Sequence, residues 1–162
     1  MKPYGSITSS SRALFLAHYF HKSAKALLKH PADRDTEIPC ELLASDWAAC
    51  VRRGWYFARF REQLSKGIIR FSFRKIETGE IREAIGTRHR LLIPEDDAPQ
   101  RRLDAHFEQL KTIPFFDLQK QQWRSFNVLY FIGFVTIWTI DEVKKPVLRT
   151  SPTAQKKADK RK

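Results

Sequence analysis

IIRFSFRKIETGEIREAIGT, residues 68–87, decides the architecture. In its first half Ile69, Phe71 and Phe73 alternate with Arg70, Ser72 and Arg74. That is the period-two pattern of a strand with one face buried and one face wet. Glu77-Thr78-Gly79-Glu80 then reads as a turn, with Gly79 able to supply the positive φ of a bulged hairpin. Residues 81–87 form the return strand. Two such strands bury too little surface alone, so further strands are required beside them.

Downstream, the same pattern recurs. Residues 94–111 form a long polar insertion with Glu95-Asp96-Asp97, Arg101-Arg102 and a short helix. Strands are expected at 113–118 and 123–128, separated by a polar turn at 119–122, with a last strand inside 130–140. Five short antiparallel strands with one long loop give a small closed barrel. Upstream, the period changes to that of a helix. Leu16, Phe20, Ala24 and Leu27 form one stripe of a helix capped by Ser9, Ser10 or Ser11 and closed by Pro31. Residues 31–44 connect it to a second helix starting at Ser45, with Asp46 in its first turn, where negative charge suits the dipole. Trp47, Val51, Trp55 and Ala58 are the expected core stripe of that helix. Gly54 weakens it by about 1 kcal/mol and marks close packing against the first helix. Lys66-Gly67 ends it.

The charge is unevenly spread. The chain has 162 residues and a formal net charge of +12. Residues 1–66 carry 11 basic and 6 acidic side chains, residues 67–143 carry 11 of each, and residues 144–162 carry 8 basic and 1 acidic. The helical segment and the tail therefore hold the whole positive excess, over a neutral barrel. Such an excess suits a polyanion, because Lys and Arg displace counterions condensed on phosphates; it also serves solubility. The tail PVLRTSPTAQKKADKRK, including Lys156 and Lys157, has the composition of a disordered cationic arm that contacts DNA or RNA, or of a solubilising end.

Other classes find little support. Cys40 and Cys50 stand in no CxxC arrangement, so neither a disulfide framework nor a zinc site is expected. His18 and His21 share a helix face but lack a third ligand at suitable spacing. His89 and His106 are isolated. There is no GxSxG, HExxH, P-loop or GxGxxG, so no enzyme and no cofactor are expected. The N-terminal MKPYGSITSS lacks the apolar run of a signal peptide. The 13 uncharged apolar residues from Val128 to Ile140 fall short of the ~20 a bilayer-spanning helix needs. A cytoplasmic protein is expected.

Residues 66–87, KGIIRFSFRKIETGEIREAIGT, and 115–128, FFDLQKQQWRSFNV, resemble a family of short Sm-like or SH3 β-barrels related to WYL domains, frequent in anaerobic gut bacteria, their phages and mobile elements. Shared features are the basic–Gly start, F-x-F, the T-G turn, R-E-A-x-G-T, Phe116-Asp117 and Trp123-Arg124-Ser125-Phe126. The Trp-Tyr-Leu triplet itself is absent; the nearest runs are Gly54-Trp55-Tyr56-Phe57 and Leu129-Tyr130-Phe131. The resemblance covers about residues 45–135, more weakly 11–135, and implies an SH3-like or Sm-like barrel. With the helices and tail read above, the chain is α+β: a helical module over 1–66, a five-stranded barrel over 67–143 and a basic tail over 144–162. The resemblance implies no catalytic or binding residues.

The candidate contacts therefore come from the residues themselves. Arg52, Arg53 and Arg59 with Tyr56 make a helix face that can fork phosphates and stack a base, or an ordinary solvated face. Arg70, Arg74 and Arg82 share the outside of the first hairpin, where Glu77, Glu80 and Glu83 can pair with them. In the W-R-S-F run, Arg124 and Phe126 point one way and Trp123 and Ser125 the other. An exposed Trp123 would be a stacking platform; a core Trp123 is the commoner arrangement. The expected function is a non-enzymatic nucleic-acid-binding accessory protein. The second reading is a protein–protein adaptor presenting Trp123, Phe115 or Phe116. The third is a ligand sensor with a polar pocket in or beside the barrel.

Overall fold

The computed structural model describes residues 7–29, 46–99 and 103–139. Two helices, α1 (Ser9–Lys29) and α2 (Trp47–Lys66), precede five strands: β1 (Gly67–Arg74), β2 (Ile81–Thr87), β3 (Thr112–Asp117), β4 (Gln122–Asn127) and β5 (Phe131–Thr139). Among the described residues no helix is long and apolar enough to cross a membrane.

Local chemistry places the element ends. Ser11 N–H donates to Thr8 Oγ1 at 3.1 Å, so Thr8 caps α1 rather than the serines that follow it. Asp46 caps α2 instead of lying in its first turn, accepting from Ala49 N–H at 2.6 Å. Gly67 both ends α2 and opens β1. The orphan carbonyls of the last turn are met from the sheet: Arg88 N–H donates to Leu64 O at 2.8 Å. Gly79 has φ +69° and its N–H returns to Lys75 O at 2.8 Å, as the T-G turn requires.

The strands pair antiparallel in the order β4-β3-β2-β1-β5. Hydrogen bonding does not close the barrel: no ladder joins β4 to β5 among the described residues. Side chains bring these edges together instead. Phe126 of β4 lies 5.6 Å from Phe131 of β5, across a short 3-10 turn at Val128–Tyr130. Phe60 of α2 sits against both, at 5.9 and 5.3 Å. One aromatic cluster thus joins α2 to the sheet, and buried Leu16 and Phe20 of α1 extend the same core.

The first hairpin keeps its expected alternation, with Ile69, Phe71 and Phe73 buried in β1. On α1, Leu16, Phe20 and Ala24 are buried; the side chain of Leu27 lies outside the described residues. On α2 the expected stripe is overturned. Trp47 is 41% and Trp55 39% exposed, while Cys50, Gly54, Phe57, Phe60, Arg61 and Leu64 face inward beside Ala58. Gly54 explains the rotation, because its Cα approaches the backbone of Ala13 and Ala17 in α1. Trp47 instead lies over His18 and His21, at 4.7 and 5.7 Å between ring centres.

Gly86 makes a second close approach. A Cβ there would stand 2.7 Å from Phe115 Cδ2 and 3.1 Å from Phe71 Cε1. Both rings are fully buried, so neither swings away cheaply. Gly86→Ala is expected to lower stability by about 1–3 kcal/mol, measured by urea denaturation. An unchanged midpoint would mean that Phe71 and Phe115 can give way to a methyl group here.

Candidate functional site

Rotating α2 places the residues singled out on it in a definite setting. Arg52, Tyr56 and Arg59 line a groove of about 560 Å³ with Val51, Trp55, Phe60, Gln63, Ile69 and Ile137. Helical spacing puts Val51, Trp55 and Arg52, Tyr56, Arg59, Gln63 along one side. Ile69 of β1 and Ile137 of β5, paired in register, supply the other. The floor is apolar and the rim carries two arginines. Groove volumes of a few hundred Å³ are typical of ligand sites.

The aromatic groups are held rather than loose. Tyr56 packs edge-on to Phe57 at 5.1 Å, runs nearly parallel to Phe60 at 6.5 Å and meets Phe131 at 5.7 Å. Burial pushes its phenol up to about 12. The neutral phenol is favoured in the folded chain, so its contribution is complete below pH ~10 and is lost as the pH rises towards about 12. In an alkaline absorbance titration one tyrosine is expected to ionise late, and Tyr56→Phe is expected to remove that late step. A curve unchanged by Tyr56→Phe would contradict this placement.

Arg52 and Arg59 are exposed, and neither has an ion pair or hydrogen bond among the described residues. Arg53 leaves this face: it does not line the groove, and its Nη1 is buried without a hydrogen-bond partner. Seven residues at 1.5 Å rise separate Arg52 from Arg59 by about 10 Å, on the order of three nucleotide steps of 3.4 Å.

The arginines expected on the barrel are engaged elsewhere. Arg70 pairs with Glu83 and Arg82 with Glu80, the latter at 3.3 Å. Arg74 Nη1 donates to Gly79 O at 2.9 Å and so braces the turn. Arg124 Nη1 reaches Asp117 Oδ2 at 2.8 Å and lies over the Phe73 ring. Asp117 in turn accepts from Gln119 and Lys120 N–H, so Arg124 anchors the β3–β4 turn. The four are not brought together with the α2 face. Lys156 and Lys157 lie outside the described residues.

The W-R-S-F run is also corrected. Phe126 is core, at 3% exposure, but Trp123 on the opposite face is neither core nor a free platform. It packs on Phe116, and its Nε1–H donates to Asp97 O at 2.6 Å, so the insertion covers it. Phe115 and Phe116 are fully buried. The aromatic cluster expected of an adaptor is therefore not displayed on the barrel.

A second concavity is built from residues that the sequence did not single out. Arg12, Arg61, Glu62, Ser65, Lys66, Arg88, Leu103 and Asp104 line a polar cleft of about 500 Å³ between α1, the end of α2 and the insertion. Arg61 is 1% exposed and sits at the centre of this network. Its Nη2 donates to Leu110 O at 2.7 Å and Thr112 O at 3.1 Å. Asp104 Oδ2 takes Arg88 at 2.8 Å and lies 3.4 Å from Arg61 Nε. Burial, and the positive charges of Arg88 and Arg12, lower Arg61 to about 10 against the pull of Asp104. The position of Arg61 between Phe60 and Leu64 hinted at burial, but nothing local pointed to Asp104. Among the described residues no group of three metal-binding side chains gathers.

Residues 57–132 match the family WYL_2, described as an Sm-like SH3 β-barrel fold. The resemblance read from the first hairpin and the W-R-S-F run is thereby borne out. No curated protein and no solved structure matches the chain.

Proposed function

We propose that this chain, whose residues 57–132 belong to the WYL_2 type of Sm-like SH3 fold, is a non-enzymatic protein that binds single-stranded nucleic acid along α2. The observation that carries the reading is the groove beside that helix, where Trp55 and Tyr56 lie between two unpaired arginines. Bases stack on aromatic faces regardless of sequence, and flanking guanidinium groups hold the backbone. The barrel serves as the rigid body that fixes the pitch of this face. Its own arginines stabilise turns and hairpins and contribute little to contact.

The neutral barrel and the positive helical segment and tail agree with this division of labour. A labelled single strand of DNA or RNA, titrated at 50 mM salt, tests the reading. Binding at micromolar protein with steep salt dependence is expected. No change in anisotropy at that salt would end the proposal.

A further inference from the structure

The cleft beside the end of α2 has a charge imbalance that its own residues do not resolve. Among the described residues its walls hold four cations, Arg12, Arg61, Lys66 and Arg88, against two carboxylates, Glu62 and Asp104. Both carboxylates are already engaged: Asp104 with Arg61 and Arg88, Glu62 with the Ser9 hydroxyl at 2.5 Å. A surplus of two positive charges remains, and part of it is deeply buried. Arg12 Nε, Arg61 Nε and Arg61 Nη1 are buried donors without hydrogen-bond partners. Orphan buried donors are rare in folded proteins, and those on charged groups are the most costly.

The simplest resolution is a bound dianion. We propose that this cleft is a phosphate site, taking free hydrogenphosphate or the terminal phosphate of a monoester between Arg12, Arg61, Lys66 and Arg88. Guanidinium groups fork tetrahedral oxyanions in pairs, and a doubly charged anion matches the surplus. Asp104 Oδ1 is a buried acceptor without a hydrogen-bond partner among the described residues. It favours an anion that carries a proton, as hydrogenphosphate does and sulfate at neutral pH does not. The cleft shares no lining residue with the apolar groove, so the site is separate from it.

Thermal melting of the full chain in millimolar inorganic phosphate tests this against sulfate and chloride at equal ionic strength. AMP, with adenosine as its control, separates a monoester from the free ion. At tenfold saturation phosphate or AMP is expected to raise the melting temperature by on the order of 4 °C, with a smaller rise in sulfate. The double variant Arg12→Gln, Lys66→Gln spares the Arg61–Asp104–Arg88 network. It is expected to melt normally in chloride but to lose the phosphate response, whereas Arg52→Gln, Arg59→Gln keeps it. Phosphate and AMP responses no larger than that of chloride would overturn the site. A sulfate response equal to that of phosphate would overturn its assignment to phosphate.

Discussion

Neutralising the two groove arginines, as Arg52→Gln with Arg59→Gln, is expected to weaken binding of single strands about 25-fold at 0.1 M salt. The estimate follows from counterion release. Each phosphate contact on a single strand contributes a slope of about 0.7 in log affinity against log salt, so losing two makes the plot shallower by about 1.4. The loss applies equally to all sequences, because phosphates carry none. Trp55→Ala acts through stacking instead. It is expected to cost about 1–3 kcal/mol with the slope unchanged. Removing residues 144–162, with 8 basic side chains against 1 acidic, is expected to flatten the slope further. Fluorescence anisotropy across a salt series measures all three. If the double arginine variant lowered affinity without changing the slope, its partner would not be a polyanion.

Gly54→Ala is expected to destabilise the chain by about 2 kcal/mol, although the same exchange in an exposed helix stabilises by about 1 kcal/mol. The sign reverses because of one contact. A Cβ at this position would lie 2.1 Å from Ala13 O, 3.0 Å from Ala13 C and 3.2 Å from Ala17 N. These are backbone atoms of a helix and cannot rotate aside. Alanine must therefore push α1 off α2, opening the contact between Phe20 and Phe57, now 5.8 Å apart. Urea denaturation measures the loss, and Gly54→Val is expected to lose more. A stability gain in Gly54→Ala would show that the helices do not touch here.

Both experiments turn on how α2 is oriented, and its sequence left that open. Its apolar residues are distributed so broadly that two stripes compete. Trp47, Val51, Trp55 and Ala58 carry more hydrophobic area than the stripe through Cys50, Gly54, Phe57 and Leu64. Area alone chooses the tryptophans. Close packing chooses the other stripe, since only Gly54 admits the α1 backbone and Phe60, beside Phe57, reaches both edges of the seam between β4 and β5. The tryptophans are displaced to the surface, where Trp55 becomes part of the groove. Arg52, Tyr56 and Arg59 were legible as one face because helical spacing is local. Arg53, one residue on, was wrongly grouped with them, because adjacent helical residues point about 100° apart.

The first hairpin shows the opposite case. Alternation in residues 68–75, the glycine at 79 and the return strand are properties of neighbouring residues, so the sequence by itself determined that unit and, through it, the five-strand plan. It also determined that Arg70 and Arg82 had acidic neighbours to pair with. Which edges would meet, and how, was settled only in three dimensions. The β4–β5 seam is joined by phenylalanines and by α2, not by a hydrogen-bonded ladder. The burial of Arg61 against Asp104, and the cleft it anchors, likewise required distant segments to converge. Alternation and turn chemistry act between residues a few positions apart. The packing of unlike surfaces and the pairing of buried charge depend on which parts of the chain fold against each other.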